Sequence, residues 1–410
     1  MKPKRVVVTG LGTINPLGNS VEETWKNLCQ GKSGISRVEG LDTAIASKIA
    51  GQVKNFDVLE YLDRKEARKM DQYCHYALVS AIQAMEDADL GSIEHKKLGV
   101  ITGTGIGGMQ TFEHQTAVFL KRGPRKVSPF FIPMMISNIA AGRIAIHFNA
   151  KGINFNITSA CASSANAIGE AYRAIKFGAA DVVIACGAEA AVTPFTLAGF
   201  SAMRALSVRN DSPETASRPF DLERDGFVLS EGAGTIILEE YDHAKKRGAK
   251  IYAEMVGYGA TSDAFHITMP APNGDGGAQA MRNALQDANI QPQDIQYINA
   301  HGTSTPLNDK CETLAIKTVF GEHAYKLKIN SSKSMIGHTL GAAGAVEALI
   351  LVKSIQEQKI HPTINLFTPD PECDLDYNPK KTIDLQIEYG MTNSFGFGGH
   401  NAVLIFKRLS

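Results

Sequence analysis

The chain has 410 residues, enough for one large domain or two fused ones. Its 44% hydrophobic and 20% charged content suits a globular protein with a large buried core, and 42 basic residues balance 42 acidic ones, which argues against nucleic acid or a membrane surface as a partner. No apolar run reaches membrane-spanning length, and Cys29, Cys74, Cys161, Cys186, Cys311 and Cys373 form neither C-x-x-C nor zinc spacing, so free thiols in a reducing compartment are expected.

The opening "MKPKRVVVTG" passes into a β-branched run without a signal-peptide pattern. Strands are expected at Arg5–Val8, Leu98–Thr102, Asn154–Thr158, Asp181–Ala185, Gly234–Leu238, Ile251–Val256, Ile295–Asn299, Lys326–Asn330, Thr392–Ser394 and Ala402–Phe406. Helices are expected at Tyr73–Ala88, Ser163–Phe177, Gly277–Ala288, Lys310–Val319 and Ala343–Gln356. This alternation argues for α/β layers. "TGLGTINPLG" mimics a dinucleotide-binding loop, but Asn15 stands where the third glycine would be and Pro16 interrupts the helix start, so it reads as a tight strand-to-loop turn.

The two halves echo each other. "AIQAMEDADL" resembles "AMRNALQDANI", and "NFNITSACASSANAIG" resembles "LKINSSKSMIGHTLGAAGAV". The order of elements matches, which indicates a duplicated α/β unit joined near residue 250, with halves at 1–250 and 251–410. The segment from Phe112 to Ile136, with "KRGPRK" and "SPFFIP", reads as an insertion in the first half.

Cys161 sits where a strand gives way to a helix, among Ala160, Ala162, Ser163 and Ser164. It is either a small core residue or a nucleophile whose thiolate is favoured by the helix N-terminus. His301 in "NAHGTSTPLND" and His338 in "SSKSMIGHTLGAAGA" adjoin glycines, which suggests close backbone contact at a site. Glu347 interrupts an apolar helix and needs a cationic partner, for which Lys333 is the nearest candidate. "NSFGFGGHNA", residues 393 to 402, is either an ordinary Gly-rich turn or, beside a nucleophile, a flexible loop supplying an oxyanion donor and an aromatic gate.

Together these stretches resemble the elongating, type II β-ketoacyl-acyl-carrier-protein synthases. The resemblance runs from "RVVVTGLG" to "NAVLIFK" and includes "SRPFDLERDGFVLSEGAG", residues 217 to 234. It implies the thiolase-like fold, a duplicated α/β unit in five layers (α-β-α-β-α), assembled as a homodimer. It implies that Cys161 takes an acyl chain from acyl carrier protein, with the backbone N–H groups of Cys161 and Phe397 as the oxyanion hole. His301 and His338 then stabilise the enolate left when malonyl-acyl carrier protein loses CO2, and the carbanion attacks the acyl group to give a 3-oxoacyl product. Lys333 holds the histidine geometry with Glu347 and assists the carboxylate's departure. Phe397 is the gate, Ile106 in "GTGIGG" floors the acyl pocket, and Phe131 reaches the partner subunit's acyl pocket. No metal or resident cofactor is implied, because phosphopantetheine arrives on the carrier protein.

Subtype follows from the same residues. Initiating enzymes of the family resemble Cys-His-Asn, whereas His338 stands here; thiolases carry a second cysteine near the C-terminus, which "FGFGGHNA" lacks. Arg64, Lys65, Arg68 and Lys69 in "LDRKEARKMDQ", with Arg125 and Lys126, are expected to dock the acidic carrier protein; the bland alternative is a solvated helix face mixed with Glu66 and Asp71. Thr268, Thr303 and Thr305 are expected along the pantetheine arm. The expected location is the bacterial cytoplasm, or an organelle stroma or matrix for a processed form. A polyketide-type condensing enzyme, a cysteine hydrolase and a non-enzymatic scaffold compete with this reading, although a hydrolase has no use for Lys333 or a second histidine.

Overall fold

The β-branched run at the start of the chain does not stop at Thr9. In the computed structural model, which describes residues 3–409 except 92 and 379, β1 spans Val6–Ile14 and is buried at every position. The expected turn at "TGLGT" is therefore strand. The reason is helix α1, Gln72–Ala88, which crosses β1 so closely that a Cβ on Gly10 would lie 2.1 Å from the Ala84 carbonyl oxygen and one on Gly12 2.0 Å from that of Ser80. These glycines make room for a helix, not for a phosphate.

Nine further strands share a sheet with β1: β2 Leu98–Gly103, β3 Asn154–Ile157, β4 Val182–Glu189, β5 Gly232–Glu240, β6 Ala253–Ser262, β7 Tyr297–Asn299, β8 Lys328–Asn330, β9 Tyr389–Gly396 and β10 His400–Lys407. Their order is β8-β7-β9-β10-β6-β1-β5-β4-β2-β3. The first five strands run β3-β2-β4-β5-β1 and the last five β8-β7-β9-β10-β6, the same order twice. The directions also repeat: β2 is parallel to β3 and β4, and β7 to β8 and β9, while β5 and β10 are antiparallel to their neighbours. The two sets meet only where Val6–Val8 pair with Ala253–Met255.

The other main helices are α2 Met109–Arg122, α3 Ile139–Phe148, α4 Ser163–Lys176, α5 Asp275–Ala288, α6 Pro306–Phe320 and α7 Ala343–Glu357. Helices α1 and α3 cover the outer face of the first sheet, and α5 and α6 that of the second. Helices α4 and α7 lie between the sheets and pack on both and on each other. The result is five layers, α-β-α-β-α. Strands β4 and β5, covered on both faces, are buried throughout, and their centres, Val182–Cys186 and Ile236–Leu238, are apolar runs. Helix α7 is buried all along Ala343–Ile355, which is why its sequence lacks a polar face. Between β2 and β3 the first half carries α2, a turn at Pro124–Lys126 and a short helix at Phe131–Met135 before α3; between β7 and β8 the second half carries α6 and a single turn at Gly321–Tyr325.

Candidate active site

Both central helices begin at one cavity. After β3, Ala160 adopts φ +49°, an unusual conformation for a residue with a Cβ, and a tight 3-10 turn at Ala160–Ala162 leads into α4. The Ser163 hydroxyl fixes this turn by accepting from the Ser159 N–H at 2.9 Å and donating to the Ala160 carbonyl at 2.6 Å. Cys161 is thereby held at the helix N-terminus, 8% exposed, in the wall of a cavity of about 430 Å³. Two opposing influences act on its thiol. Burial pushes it up to about 11, against the pull of the Lys333 charge and of the N–H groups of Phe397 and of Cys161 itself.

His301 and His338 come from the second half and border the same cavity. Their rings meet edge to face with centroids 5.4 Å apart. His301 follows β7, and its N–H and that of Gly302 each donate to the buried Glu312 carboxylate at 2.8 Å. His338 is held in a strand-like contact: its N–H donates to the Val228 carbonyl at 2.8 Å, and its carbonyl accepts from the Ser230 N–H at 2.9 Å. Burial holds both imidazoles well below the usual histidine range, and the Lys333 charge pushes the same way, so both rings are neutral.

Lys333 and Glu347 are both buried and form an ion pair. Nζ of Lys333 also lies 3.4 Å from Nδ1 of His301. An ammonium can only donate, so Nδ1 accepts and the ring proton sits on Nε2. Burial raises the Glu347 carboxyl to about 7 against the pull of Lys333. Glu347 Oε2 and the hydroxyls of Thr392 and Ser394 are each buried without a hydrogen-bond partner. No group of three or more His, Cys, Asp or Glu side chains is placed to bind a metal among the described residues.

A thiol and two neutral imidazoles thus border one cavity, with a buried lysine beside one of the rings. The family model for the β-ketoacyl synthase N-terminal domain matches residues 3–244, and that for the C-terminal domain matches residues 252–367. The chain belongs to the β-ketoacyl synthase family. This β-ketoacyl synthase is 52% identical over 408 residues to the 3-oxoacyl-[acyl-carrier-protein] synthase 2 of Staphylococcus aureus (strain COL), covering 99% of this chain and 98% of the relative. It is 51% identical over 411 residues to the protein of that name from Synechocystis sp. (strain ATCC 27184 / PCC 6803 / Kazusa), covering 100% and 99%. Among solved structures it matches a β-ketoacyl synthase from Burkholderia phymatum STM815 with a TM-score of 0.93, at 37% identity and 99% and 100% coverage. It also matches a structure titled as a type II PKS acyl-carrier protein in complex with its ketosynthase bound to the hexaketide, with a TM-score of 0.92, 38% identity and full coverage of both chains. The fold is thiolase-like.

The remaining expected residues of this β-ketoacyl synthase separate into three groups. Ile106, Thr268, Thr303, Thr305 and Phe397 border the cavity with Cys161. The hydroxyls of Thr303 and Thr305 lie 2.8 Å apart. Phe131 opens a short surface helix and stands outside the cavity of its own chain. Arg64, Lys65, Arg68 and Lys69 line a shallow surface depression with Phe130, and Arg125 and Lys126 are exposed on the turn before it. Lys69 is partly neutralised by Glu66 at 2.7 Å. The stretch "NSFGFGGHNA" is a β-hairpin, not a loop: β9 and β10 pair from Gly396↔His400 onward, and only Phe397, Gly398 and Gly399 make the turn.

Sequence reading found the buried carboxylate of Glu347 but missed those of Glu312 and Glu189. Glu312 holds the backbone at His301 and accepts from Asn393 Nδ2 at 3.0 Å. Its signal was available: Asp309, Glu312 and Thr313 are polar at spacing i, i+3, i+4, on the buried side of a helix. Glu189, at the end of β4, sat in "GAEAA" without any such pattern.

Proposed function

We propose that this protein is an elongating 3-oxoacyl-acyl-carrier-protein synthase. In the first half-reaction the Cys161 sulfur attacks the thioester carbonyl of an acyl chain on the carrier's phosphopantetheine arm. The N–H groups of Cys161 and Phe397, both turned toward the sulfur, receive the tetrahedral oxyanion. The carbon–sulfur bond to the carrier breaks, and the proton lost by the Cys161 thiol ends on the departing pantetheine thiol. The helix N-terminus favours the negative charge that the sulfur carries in passing.

Malonyl-acyl carrier protein then takes the same cavity. The malonyl carboxylate leaves as CO2, and its electron pair passes to the thioester as an enolate. The Nε2–H of His301 and the imidazole of His338 donate to that oxygen. Because both rings are neutral, they donate without capturing the carbanion's electron pair by full proton transfer. The carbanion carbon bonds to the acyl carbon, the bond to Cys161 breaks with its electron pair on sulfur, and the thiolate takes up one proton from solvent. Lys333 serves by fixing the His301 proton on Nε2, in concert with Glu347. On this reading no resident cofactor takes part, and the work is done in the bacterial cytoplasm.

Carrier docking rests on Arg64, Lys65, Arg68, Arg125 and Lys126, exposed cations for which the described residues offer no ion-pair partner. Thr268, Thr303 and Thr305 line the cavity, and their hydroxyls suit an amide-bearing arm. A homodimer is supported by β3, an edge strand whose Phe155 is 42% exposed, and by the apolar Leu120 and Ile146, each 76% exposed. Phe131 would reach the partner from that face.

The observation that carries this reading is the meeting of Cys161 from the first half with His301 and His338 from the second at one cavity. The test is mass spectrometry of Cys161 after incubation with acyl-carrier-protein thioesters of graded length, alongside CO2 release from malonyl-acyl carrier protein. Acylation of Cys161 is expected in the wild type. His338→Ala is expected to keep part of it while losing decarboxylation by ~10²-fold or more. No acylation of the wild type, or equal loss of both steps, would reject the assignment.

A further inference from the structure

The repeat of strand order extends into the site. The turn Ala160–Ala162 before α4 has a counterpart at Leu340–Ala342 before α7, and the first residue of each has a positive φ, +49° at Ala160 and +48° at Leu340. Gly341 therefore stands in the second half where Cys161 stands in the first. Glu189, last residue of β4, likewise corresponds to Gly396, last residue of β9. A Cβ on Gly396 would lie 3.0 Å from the Cys161 nitrogen and 3.2 Å from that of Ala162, so glycine keeps the donor group beside the sulfur open. In the second half the equivalent space holds the Glu189 carboxylate, whose Oε2 accepts from the Gly341 N–H at 3.0 Å.

That carboxylate gathers more than one donor. Its Oε2 also accepts from the Gly105 N–H at 2.7 Å, and its Oε1 accepts from the Thr104 hydroxyl at 2.9 Å and from the N–H groups of Ile106 at 3.1 Å and Gly107 at 3.3 Å. Glu189 is completely buried. Gly105, Ile106 and Leu340 border the cavity, and His338 lies three residues before Gly341.

We infer that Glu189 is a positioning residue that plugs the second half's copy of the oxyanion site and fastens the acyl-cavity wall to the segment carrying His338. One carboxylate, accepting from Gly105–Gly107 of one half and Gly341 of the other, sets the distance between the wall that the acyl chain meets and the imidazole that serves the malonyl group. Its catalytic arm rests on the condensing-enzyme reading above; its structural arm does not.

The experiment compares wild type, Glu189→Gln and Glu189→Ala. Glutamine keeps the volume but turns an NH2 toward backbone N–H donors. Hydrogen exchange of Glu189→Gln is expected to rise at least about tenfold at the amides of Gly105–Gly107 and of Gly341 together, with α4 and α7 unchanged. Its kcat for malonyl decarboxylation is expected to fall roughly 10–10²-fold with KM little changed, and its preference among acyl lengths to flatten. In Glu189→Ala, sodium formate is expected to restore part of the rate and to raise the melting temperature, neither of which it does in the wild type. Unchanged exchange in Glu189→Gln, loosening of only one of the two segments, or wild-type kinetics would overturn the inference. Should Glu189→Ala not fold, the Glu189→Gln measurements decide alone. A wild-type protein that releases no CO2 from malonyl carrier would sink the condensing reading and leave the exchange result to stand for Glu189.

Discussion

Nζ of Lys333 stands 3.4 Å from Nδ1 of His301 and pairs on its other side with Glu347, with both charged side chains buried. A buried pair of this kind is weak as a source of stability but costly to break from one side. Lys333→Met is expected to destabilise the protein by ~3–5 kcal/mol, read from urea unfolding, because it leaves Glu347 without a partner. Lys333→Met combined with Glu347→Gln is expected to regain most of that loss. The double variant should still lose malonyl decarboxylation by ~10²-fold, since His301 is no longer held as the Nε2–H form. A folded double variant with normal decarboxylation would contradict the role given to Lys333.

The state of the Cys161 sulfur can be read from pH. With its thiol pushed up to about 11, the thiolate fraction is small near neutrality and grows about tenfold per pH unit. The rate of inactivation by iodoacetamide is therefore expected to climb steadily from pH 7 to pH 10. A plateau below pH 8 would show that the helix N-terminus overrides burial.

Glu231 offers a test of stability. Its carboxyl accepts from the Tyr76 hydroxyl and the Val53 N–H, each at 3.1 Å, and burial raises it from 4.5 to about 7. A raised carboxyl means that the folded protein binds the proton more tightly than the unfolded chain. Its contribution is full below about pH 4.5 and is lost as pH rises to about 7. Glu231→Gln is expected to remove a pH-dependent loss on the order of 3 kcal/mol across that window. Glu347 titrates in the same range, so the difference between variant and wild type is the quantity to follow. Parallel stability curves would refute the assignment to Glu231.

Charge reversal at Arg64, Lys65 and Arg68 tests the docking face. The triple change to Glu is expected to raise KM for carrier-bound substrates tenfold or more in a salt-dependent manner, about what the loss of a few exposed attractive charges allows. Activity on short pantetheine thioesters, which need no carrier, is expected to stay. Equal losses on both substrates would place these residues in folding rather than docking.

The layers were legible in the sequence because β-branched runs such as "DVVIA" and Ala-rich runs such as "AGAVEALILV" have distinct periods, and the structure carries a strand or helix at each expected place. The boundaries were less so. "TGLGT" looks like a turn because glycine is read locally, whereas its cause is α1 crossing overhead. "NSFGFGGHNA" hid a hairpin for the same reason. His301, His338, Lys333 and Glu347 stood out as polar residues in small or apolar company. Glu189 did not, because its partners are backbone amides far away in the chain, which no spacing records, whereas Glu312 was marked by its helical spacing with Asp309 and Thr313 and was passed over. For the Cys161 sulfur, the helix N-terminus can be read from a sequence, whereas the depth of burial that acts against it cannot.

The doubled strand order has a last consequence. Two identical subunits facing across a twofold axis would be obliged to repeat every cleft, so that each entrance would have a twin and each twin the same chemistry. A single chain escapes that obligation. It can devote one cleft to its guest and seal the other from within, and the asymmetry between Gly396 and Glu189 is how this chain does so.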